Sequence, residues 1–212
     1  MMLLQNIHDD MMLLDKEVKK MNPFTFDTSD FQFLLDTVGE TVIIDNVPKK
    51  CIVQNAKIGD YEDKYIYTLE SIQRGNLILR KEKYYIIVSD VTEGRQYNKA
   101  LMRKCTHVIR VMIQEGRQVL IGTTPWGEEI YETTDPVYDD FHCIVEHEKI
   151  TIDGDQIRTS DSEILITLQR NQFTEKIKIN DKYEVAGYTY RVTHINYTKS
   201  GLIILKCETA VV

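Results

Sequence analysis

Apolar residues recur at helical spacing near the start of the sequence. Within residues 1–22 they follow one another at steps of three and four, which is heptad spacing, and Asn22 and Pro23 supply a stop signal. The pattern predicts an amphipathic helix whose apolar stripe consists of Leu4, Ile7, Met11, Leu14, Val18 and Met21. Because three heptads are marginal for a free-standing coiled coil, this stripe has two interpretations: packing against its own domain, or docking onto another subunit.

A second, shorter helix is predicted from about Ser29 to Val38. Asp27, Thr28 and Ser29 are candidate N-caps, and Gly39 is placed to end the helix. Together the two helices make residues 1–40 an N-terminal helical segment.

The hydrophobic period changes from 3.6 to 2 at about Thr41. From there the chain consists of short β-branched and aromatic runs separated by turn residues such as Asn46, Gly75 and Gly154. No long helical pattern alternates with these runs, so parallel βαβ folds are disfavoured. The expected fold class is mainly β: two small antiparallel β-barrel or sandwich domains in tandem, preceded by N-terminal amphipathic helices.

An internal repeat supports the tandem arrangement. Asn76–Val91 aligns with Asp181–Asn196 without a gap, placing a strand, a turn and a second strand over one another. The next strand aligns Lys104-Cys105 with Lys206-Cys207 if the preceding loop is three residues longer in the first copy. Upstream, Cys51–Val53 corresponds roughly to Ile164–Leu168. The alternative is chance similarity between two generic β meanders.

These boundaries predict four segments. They are a helical segment over residues 1–40, a first β domain over 41–120, an acidic connector with some strand over 121–163, and a second β domain over 164–212.

Charge is distributed in blocks along the chain. Residues 1–45 carry 3 basic and 9 acidic groups, residues 46–120 carry 14 and 8, residues 121–163 carry 2 and 12, and residues 164–212 carry 7 and 4. Blocks of opposite sign are suited to neutralising one another within a subunit or between neighbours in an assembly. The alternative is that these charged residues lie on solvent-exposed faces and that their clustering has no function.

The chemistry of the sequence favours binding over catalysis. It has no Gly-x-Ser-x-Gly, Walker, Gly-x-Gly-x-x-Gly or His-Glu-x-x-His motif, so we expect no enzyme activity and no cofactor. Asp140, His142 and Glu146 would share one face of a strand and are a weak candidate for a metal site. A solvent-exposed acidic strand explains the same three residues equally well.

The four cysteines form no C-x-x-C pair, which favours a reducing compartment and buried, inert thiols. The longest apolar run is four or five residues, so we expect no membrane partner.

Two further groups are candidates for contacts. Trp126 is either an exposed partner-docking anchor or a plug at a barrel mouth. A group of basic residues suggests contact with a nucleic-acid backbone. The alternative is that these residues are simply the polar, outward-facing positions that an antiparallel sheet requires. The members of this group are Arg80, Lys81, Lys83, Arg103 and Lys104.

Several short motifs resemble a known family. The series is Tyr61-Glu62-Asp63-Lys64-Tyr65-Ile66, Arg74-Gly75-Asn76-Leu77, Tyr84-Tyr85-Ile86-Ile87-Val88-Ser89-Asp90, Tyr97-Asn98-Lys99-Ala100 and Met102-Arg103-Lys104-Cys105. It is similar to that of head-closure or head-tail connector (neck) proteins of long-tailed phages and prophages of Gram-positive bacteria. Three positions depart from the family pattern, with Asn76 in place of Asp, Lys104 in place of Arg and Thr106 in place of Asn.

The resemblance implies a structural virion protein, assembled in the host cytoplasm. Such a protein forms a homo-oligomeric ring that closes the DNA-filled head or joins head to tail. Its expected partners are the portal or adaptor protein, tail proteins and, non-specifically, packaged DNA. The alternative function is a small β-barrel nucleic-acid-binding module.

Overall fold

Antiparallel β-structure dominates the computed structural model, which describes residues 29–56, 63–94, 96–147, 152–153, 156–157 and 163–210. The predicted heptad helix, with its stripe from Leu4 to Met21, lies outside the described residues. The second predicted helix is confirmed as α1, Ser29–Val38, which packs through Phe31 and Leu35. None of the helices in the described ranges has the length and apolar character needed to cross a bilayer.

The first domain is a closed six-stranded barrel. Around the barrel the strands run β1-β2-β3-β7-β5-β4 and return to β1, and the short β6 also pairs with β7. The strands are β1 Glu40–Ile44, β2 Val47–Asn55, β3 Lys64–Thr68, β4 Leu77–Arg80, β5 Lys83–Ile87, β6 Thr92–Glu93 and β7 Asn98–Lys104.

Alternation of side chains fills this barrel. Val42 and Ile44 of β1 point into the core while Thr41 and Ile43 face outward, as a period of 2 requires. The core consists of Val42, Ile44, Cys51, Ile66, Ile72, Ile78, Tyr85, Ile87, Ala100 and Met102.

The second domain has a six-stranded sheet in the order β15-β16-β17-β14-β11-β8. Its strands are β8 His107–Gln114, β11 Val137–His147, β14 Glu163–Gln169, β15 Lys182–Val185, β16 Tyr188–Asn196 and β17 Leu202–Thr209. Two small hairpins interrupt the series, β9 Gln118–Thr123 with β10 Glu129–Thr133, and β12 Ile152–Asp153 with β13 Gln156–Ile157. A 3-10 turn, Thr174–Lys176, precedes β15.

The two domains share one topology. Numbered along each domain, the six main strands are neighbours in the order 1-2-3-6-5-4 in both cases. The strand register is shared as well. Ile78 of β4 is paired with Tyr85 of β5, and the residues 105 positions later, Tyr183 of β15 and Tyr190 of β16, are paired in the same way. The tandem mainly-β prediction is therefore confirmed, and the repeat is a property of the fold.

The turns preceding and joining these strands repeat too. Lys81 and Glu82 have φ of 47° and 62°, and their equivalents Ala186 and Gly187 have 52° and 84°. Both hairpins thus use a two-residue turn with positive φ at both positions, which matches strand twist. The tight turn before each hairpin also recurs. Asn76 Oδ1 accepts a hydrogen bond from the backbone N–H of Gln73, and at the equivalent position Asp181 Oδ2 accepts one from the backbone N–H of Lys178.

Two details of the predicted repeat were wrong. The sixth strands align at the same 105-residue offset as the hairpins, so Met102 is equivalent to Cys207, and the predicted loop difference does not exist. Ile164–Leu168 in β14 corresponds to β3, whereas Cys51 of β2 corresponds to Cys143 of β11.

The boundary between the sheets lies earlier than predicted. The first sheet ends at Lys104 and the second begins at His107, so β8 belongs to the second domain rather than to a first domain ending at residue 120. The predicted connector 121–163 likewise includes β11, whose Cys143 and Ile144 are buried in or beside the second core. A connector prediction failed here because β11 begins with exposed acidic residues, and its buried half follows them.

The domains contact each other through an apolar and polar interface. Ile86 of the first domain packs against Ile144 and Leu202 of the second. Gln169 Nε2 donates to Asp45 Oδ1 at 2.8 Å, and Arg103 Nη1 of the first domain donates to Glu146 Oε1 of the second at 2.8 Å. The barrels therefore form a joined pair.

Candidate functional site

The main difference between the two domains is an inserted arm. In the first domain, Ile44 and Val47 are paired across the two-residue turn Asp45-Asn46. Their equivalents in the second domain, Val111 and Asp139, are also paired, but 27 residues lie between them. These residues, 112–138, are here called the arm; they include the ends of β8 and β11 and the β9–β10 hairpin.

The arm exposes apolar side chains on both of its faces. Leu120 lies opposite Tyr131 on one face, and Val119 lies opposite Glu132 on the other. Nine large apolar residues of the arm are between 38% and 90% exposed: Met112, Val119, Leu120, Ile121, Trp126, Ile130, Tyr131, Val137 and Tyr138. An isolated two-stranded hairpin is marginally stable in water, so this arm has the character of an element that a partner covers.

Trp126 is at the tip of the arm and is 90% exposed. The turn is ordered by Thr124, whose backbone N–H donates to the Glu128 carbonyl and whose hydroxyl accepts from the Glu128 amide. Gly127 has φ of 86° and lets the chain reverse there. The alternative of a tryptophan plug in a barrel is excluded by this exposure, and docking of a partner by Trp126 stays a prediction.

The arm is acidic. Its 27 residues contain five carboxylates, Glu115, Glu128, Glu129, Glu132 and Asp135, and a single basic residue, Arg117. Glu129 accepts a hydrogen bond from the Tyr131 hydroxyl, which raises the pKa of Tyr131.

The base of the arm borders a cleft of about 580 Å³ in the second domain. Lys176 Nζ donates to the Ile113 carbonyl at 2.5 Å, and Lys178 lies 3.9 Å from Glu115. The first barrel is closed by pairing between β1 and β4, but the equivalent β8 and β15 have no such ladder between them. The arm therefore begins next to the gap between β8 and β15, where the second barrel is not closed by strand pairing.

A basic groove lies at one end of the first barrel. It has a volume of about 460 Å³ and is lined by Asn55, Ala56, Asp63, Lys64, Arg80, Lys81, Lys83 and Tyr85. Three of the predicted DNA-contact residues, Arg80, Lys81 and Lys83, are brought together here by the β4–β5 turn. The groove also contains Lys64, which sequence reasoning missed because it belongs to a different strand.

Carboxylates partly neutralise this groove. Arg80 Nε and Nη2 each lie 2.7 Å from Glu40 Oε1, and Lys81 Nζ lies 3.7 Å from Glu40 Oε2. Burial lowers the pKa of Arg80, but the hydrogen bond and charge of Glu40 outweigh it and raise that pKa overall. Lys81 is largely exposed and Lys83 is exposed, so both ammonium groups are accessible.

The other two predicted DNA-contact residues do not line the groove. Arg103 donates to both oxygens of the buried Asp63 carboxylate, at 2.8 and 3.1 Å, and to Glu146 Oε1 of the second domain at 2.8 Å. Lys104 is half-buried and lies opposite Tyr85 in the β5–β7 ladder. The guanidinium of Arg103 is thus engaged within the chain, across the domain interface.

The weak metal candidate is not assembled. His142 stacks on Tyr84 of the first domain, with ring centroids 3.5 Å apart, and Glu146 accepts from Arg103. Burial lowers the pKa of His142, which favours the neutral ring in this stack. Within the described ranges, no group of three or more His, Cys, Asp or Glu residues is placed to hold a metal ion.

The thiols are poorly suited to reaction. Cys51, Cys143 and Cys207 are fully buried and Cys105 is half-buried, which confirms the expected burial for three of the four. Burial raises the pKa of each of the four thiols to about 12, so thiolate is scarce at neutral pH.

Comparison with known protein families assigns both halves of the chain. Residues 6–104 match the YomX N-terminal domain, and residues 107–208 match the YomX C-terminal domain. The chain belongs to the YomX family. The family's division between residues 104 and 107 coincides with the boundary between the two sheets of the structure. YomX is a Bacillus phage-region protein, and a YomX-family chain is therefore phage-related.

Other comparisons add little to this assignment. No curated protein matches the YomX-family chain. One solved structure, MrkH, titled a c-di-GMP-dependent transcription regulatory factor, shows 10% identity over 86% of this chain and 81% of that chain, with a TM-score of 0.18. A TM-score this low carries no argument about fold or function.

Proposed function

We propose that this YomX-family chain is a non-enzymatic structural virion protein of a tailed phage. It forms a ring in the neck of the particle, where it closes the DNA-filled head or joins head to tail. Its phage-related family and the resemblance of its short motifs to those of neck proteins support this proposal.

The exposed arm is the observation that carries the proposal. A 27-residue insertion in place of a two-residue turn contributes little to its own barrel, and it exposes apolar side chains that a partner would bury. Ring subunits make heterologous contacts, in which one patch meets a different patch on the neighbour. An arm projecting from a compact domain is suited to such a contact.

The N-terminal stripe provides a second contact in this proposal. Leu4, Ile7, Met11, Leu14, Val18 and Met21 then dock on the portal or adaptor protein or on a tail protein, in the layer next to the ring. The Met-rich composition of this segment suits an adaptable surface.

Quantitative mass spectrometry of gradient-purified phage particles tests the proposed function. We expect the chain to be present in many copies per particle, in a fixed ratio to the portal protein. Deleting its gene should yield DNA-filled heads that leak or that carry no tail. Particles that lack the chain and are assembled and infectious without it would contradict the proposal.

Complementation separates docking from folding. A chain of residues 23–212 retains both β domains and, in this proposal, fails to enter particles when it replaces the full chain. Its circular dichroism spectrum and thermal unfolding midpoint provide the control for folding. Normal incorporation of the truncated chain would remove the docking role of the stripe and leave the virion assignment standing.

The basic groove keeps a nucleic-acid-binding barrel as the second candidate. Its exposed cations are Lys81 and Lys83, whereas Lys64 is half-buried and donates to Asn55 Oδ1. Glu40 already engages Arg80 and Lys81. Binding through phosphates depends steeply on salt. A sequence-independent affinity for single- or double-stranded DNA that falls with salt and is lost in K81E/K83E would favour this candidate.

A further inference from the structure

The tip of the arm and the basic groove are complementary in charge. Trp126 at the tip is followed by Glu128 and Glu129, while the groove presents Lys64, Lys81 and Lys83. Trp126 is 90% exposed, so the tip does not occupy the groove of its own chain. Every copy therefore carries both an unoccupied acidic, aromatic tip and a basic groove.

We propose that the arm tip of one copy docks into the basic groove on the first domain of a second copy. This inference rests on the proposed ring function and names the contact that builds the ring. Because tip and groove are different surfaces, the contact is heterologous, and each copy offers one of each. Successive head-to-tail contacts of this kind close into a ring when the rotation between copies permits.

The dimensions and chemistry of the two surfaces fit. The groove volume of about 460 Å³ is within the range of roughly 300–1,000 Å³ that accommodates ligand-sized groups, so a single indole ring can enter it. Lysine ammonium and arginine guanidinium groups are attracted to the face of an indole. Glu128 and Glu129 then lie near Lys81 and Lys83 at the rim, where electrostatic complementarity sets orientation and partner choice.

A second copy explains more of the structure than a nucleic acid does. DNA in the groove would leave Trp126 at the arm tip uncovered. The carboxylates of Glu40 and Asp63 also reduce the attraction of the groove for a phosphate backbone, and the chain as a whole has a net charge of −7. A mixed aromatic and acidic tip is a better match for a groove that is only partly basic.

Site-specific cross-linking tests the contact in the full chain. One preparation carries P125C, at an exposed position beside the retained Trp126, a second, distinguishable by an affinity tag, carries A56C, and the two are mixed with a short bismaleimide. Ala56 lines the groove, so A56C keeps every charge there. Because burial raises the pKa of the four native thiols, the introduced cysteines, at exposed Pro125 and half-buried Ala56, react first.

We expect a product joining P125C to A56C between chains. The matched control pairs P125C with E184C, an exposed position on the second domain, and should give little product. Equal cross-linking to A56C and E184C, or none to A56C in preparations that form oligomers, would overturn the proposal.

Charge reversal provides the second test. W126A should weaken self-association by at least about 30-fold, the effect of removing a hot-spot residue. E128K/E129K and K81E/K83E should each dissociate the oligomer, and the chain carrying all four substitutions should reassemble. K182E/K199E makes the same charge change on exposed lysines elsewhere and should leave the oligomer intact.

The possible outcomes distinguish this contact from the function on which it rests. Oligomers unaffected by K81E/K83E, with DNA affinity lost in that variant, would overturn the docking proposal and assign the groove to nucleic acid. Presence in virions without the P125C–A56C product would refute this contact alone. Absence from virions would refute the proposed function even where the cross-link forms.

Discussion

Gly75→Ala is expected to lower the free energy of unfolding by about 3 kcal/mol or more, because a side chain there cannot be accommodated. Gly75 has φ of 91°, and a Cβ at this position would lie 1.9 Å from the carbonyl oxygen of Gly201 in the second domain. A Cβ on Gly201 would lie equally close to the Arg74 carbonyl oxygen. The two domain surfaces meet here backbone to backbone, so the substitution must push them apart. Urea denaturation followed by circular dichroism measures the loss.

Gly187→Ala is the matched control for this substitution. Gly187 has a similar φ of 84°, but a Cβ there would have nothing within 4 Å. Gly187→Ala therefore introduces the backbone strain but no steric clash, and we expect it to lower the free energy of unfolding by about 1 kcal/mol. Equal losses for the two variants would mean that the close approach between the domains does not contribute to stability.

Arg103→Met is expected to cost about 3–5 kcal/mol, since it leaves a buried carboxylate without its counter-ion. The Asp63 side chain is only 1% exposed, and Arg103 donates to both of its oxygens. The same guanidinium reaches Glu146 of the second domain, so the variant also weakens the contact between the domains. Chemical denaturation of the variant, compared with the parent, measures the cost.

Two further variants show whether the loss of stability comes from the unpaired Asp63 carboxylate. Asp63→Asn combined with Arg103→Met removes the stranded charge and should recover part of the loss. Arg191→Met removes an exposed ion pair with Glu208, 3.4 Å apart, and should change stability by about 0.5 kcal/mol or less. If Arg103→Met cost no more than Arg191→Met, the Asp63 ion pair would not have the structural role assigned to it.

The repeat could be predicted from sequence where its signals are local. The gap-free match of Asn76–Val91 with Asp181–Asn196 worked because a hairpin and its turn are determined by neighbouring residues. The match failed at the sixth strand, where a shared Lys-Cys pair suggested a shift of three residues. Side chains alternate with a period of 2, so an odd shift would exchange the inner and outer faces. The structure instead aligns the fully buried Met102 with the fully buried Cys207.

The role of Arg103 could not be read from the sequence. As an outward-facing basic residue beside aromatic positions, it fitted a nucleic-acid contact as well as Arg80 did. Its partners, Asp63 and Glu146, are 40 and 43 residues away along the chain, and only the folded topology brings them together. Ion pairs of this range leave no local pattern.

The arm was recognised only in part. Its charge, its proline content and Trp126 set it apart as a connector, but its limits were not predicted. Val111 and Asp139 are neighbours in the same ladder, and the equivalence of this pair to Ile44 and Val47 becomes visible only through the shared strand register. The inserted character of the arm is therefore a result of comparing the two domains in three dimensions.

Native mass spectrometry of the full chain, beside a chain in which residues 112–138 are replaced by Asp-Asn, tests the central claim most directly. The first domain shows that this barrel accepts the two-residue turn Asp45-Asn46 at the equivalent position, so the shortened chain should fold. We predict a ring of defined subunit number for the full chain and a folded monomer for the shortened one. A full chain that remains a single subunit at every concentration, or a ring that persists without the arm, would contradict the account.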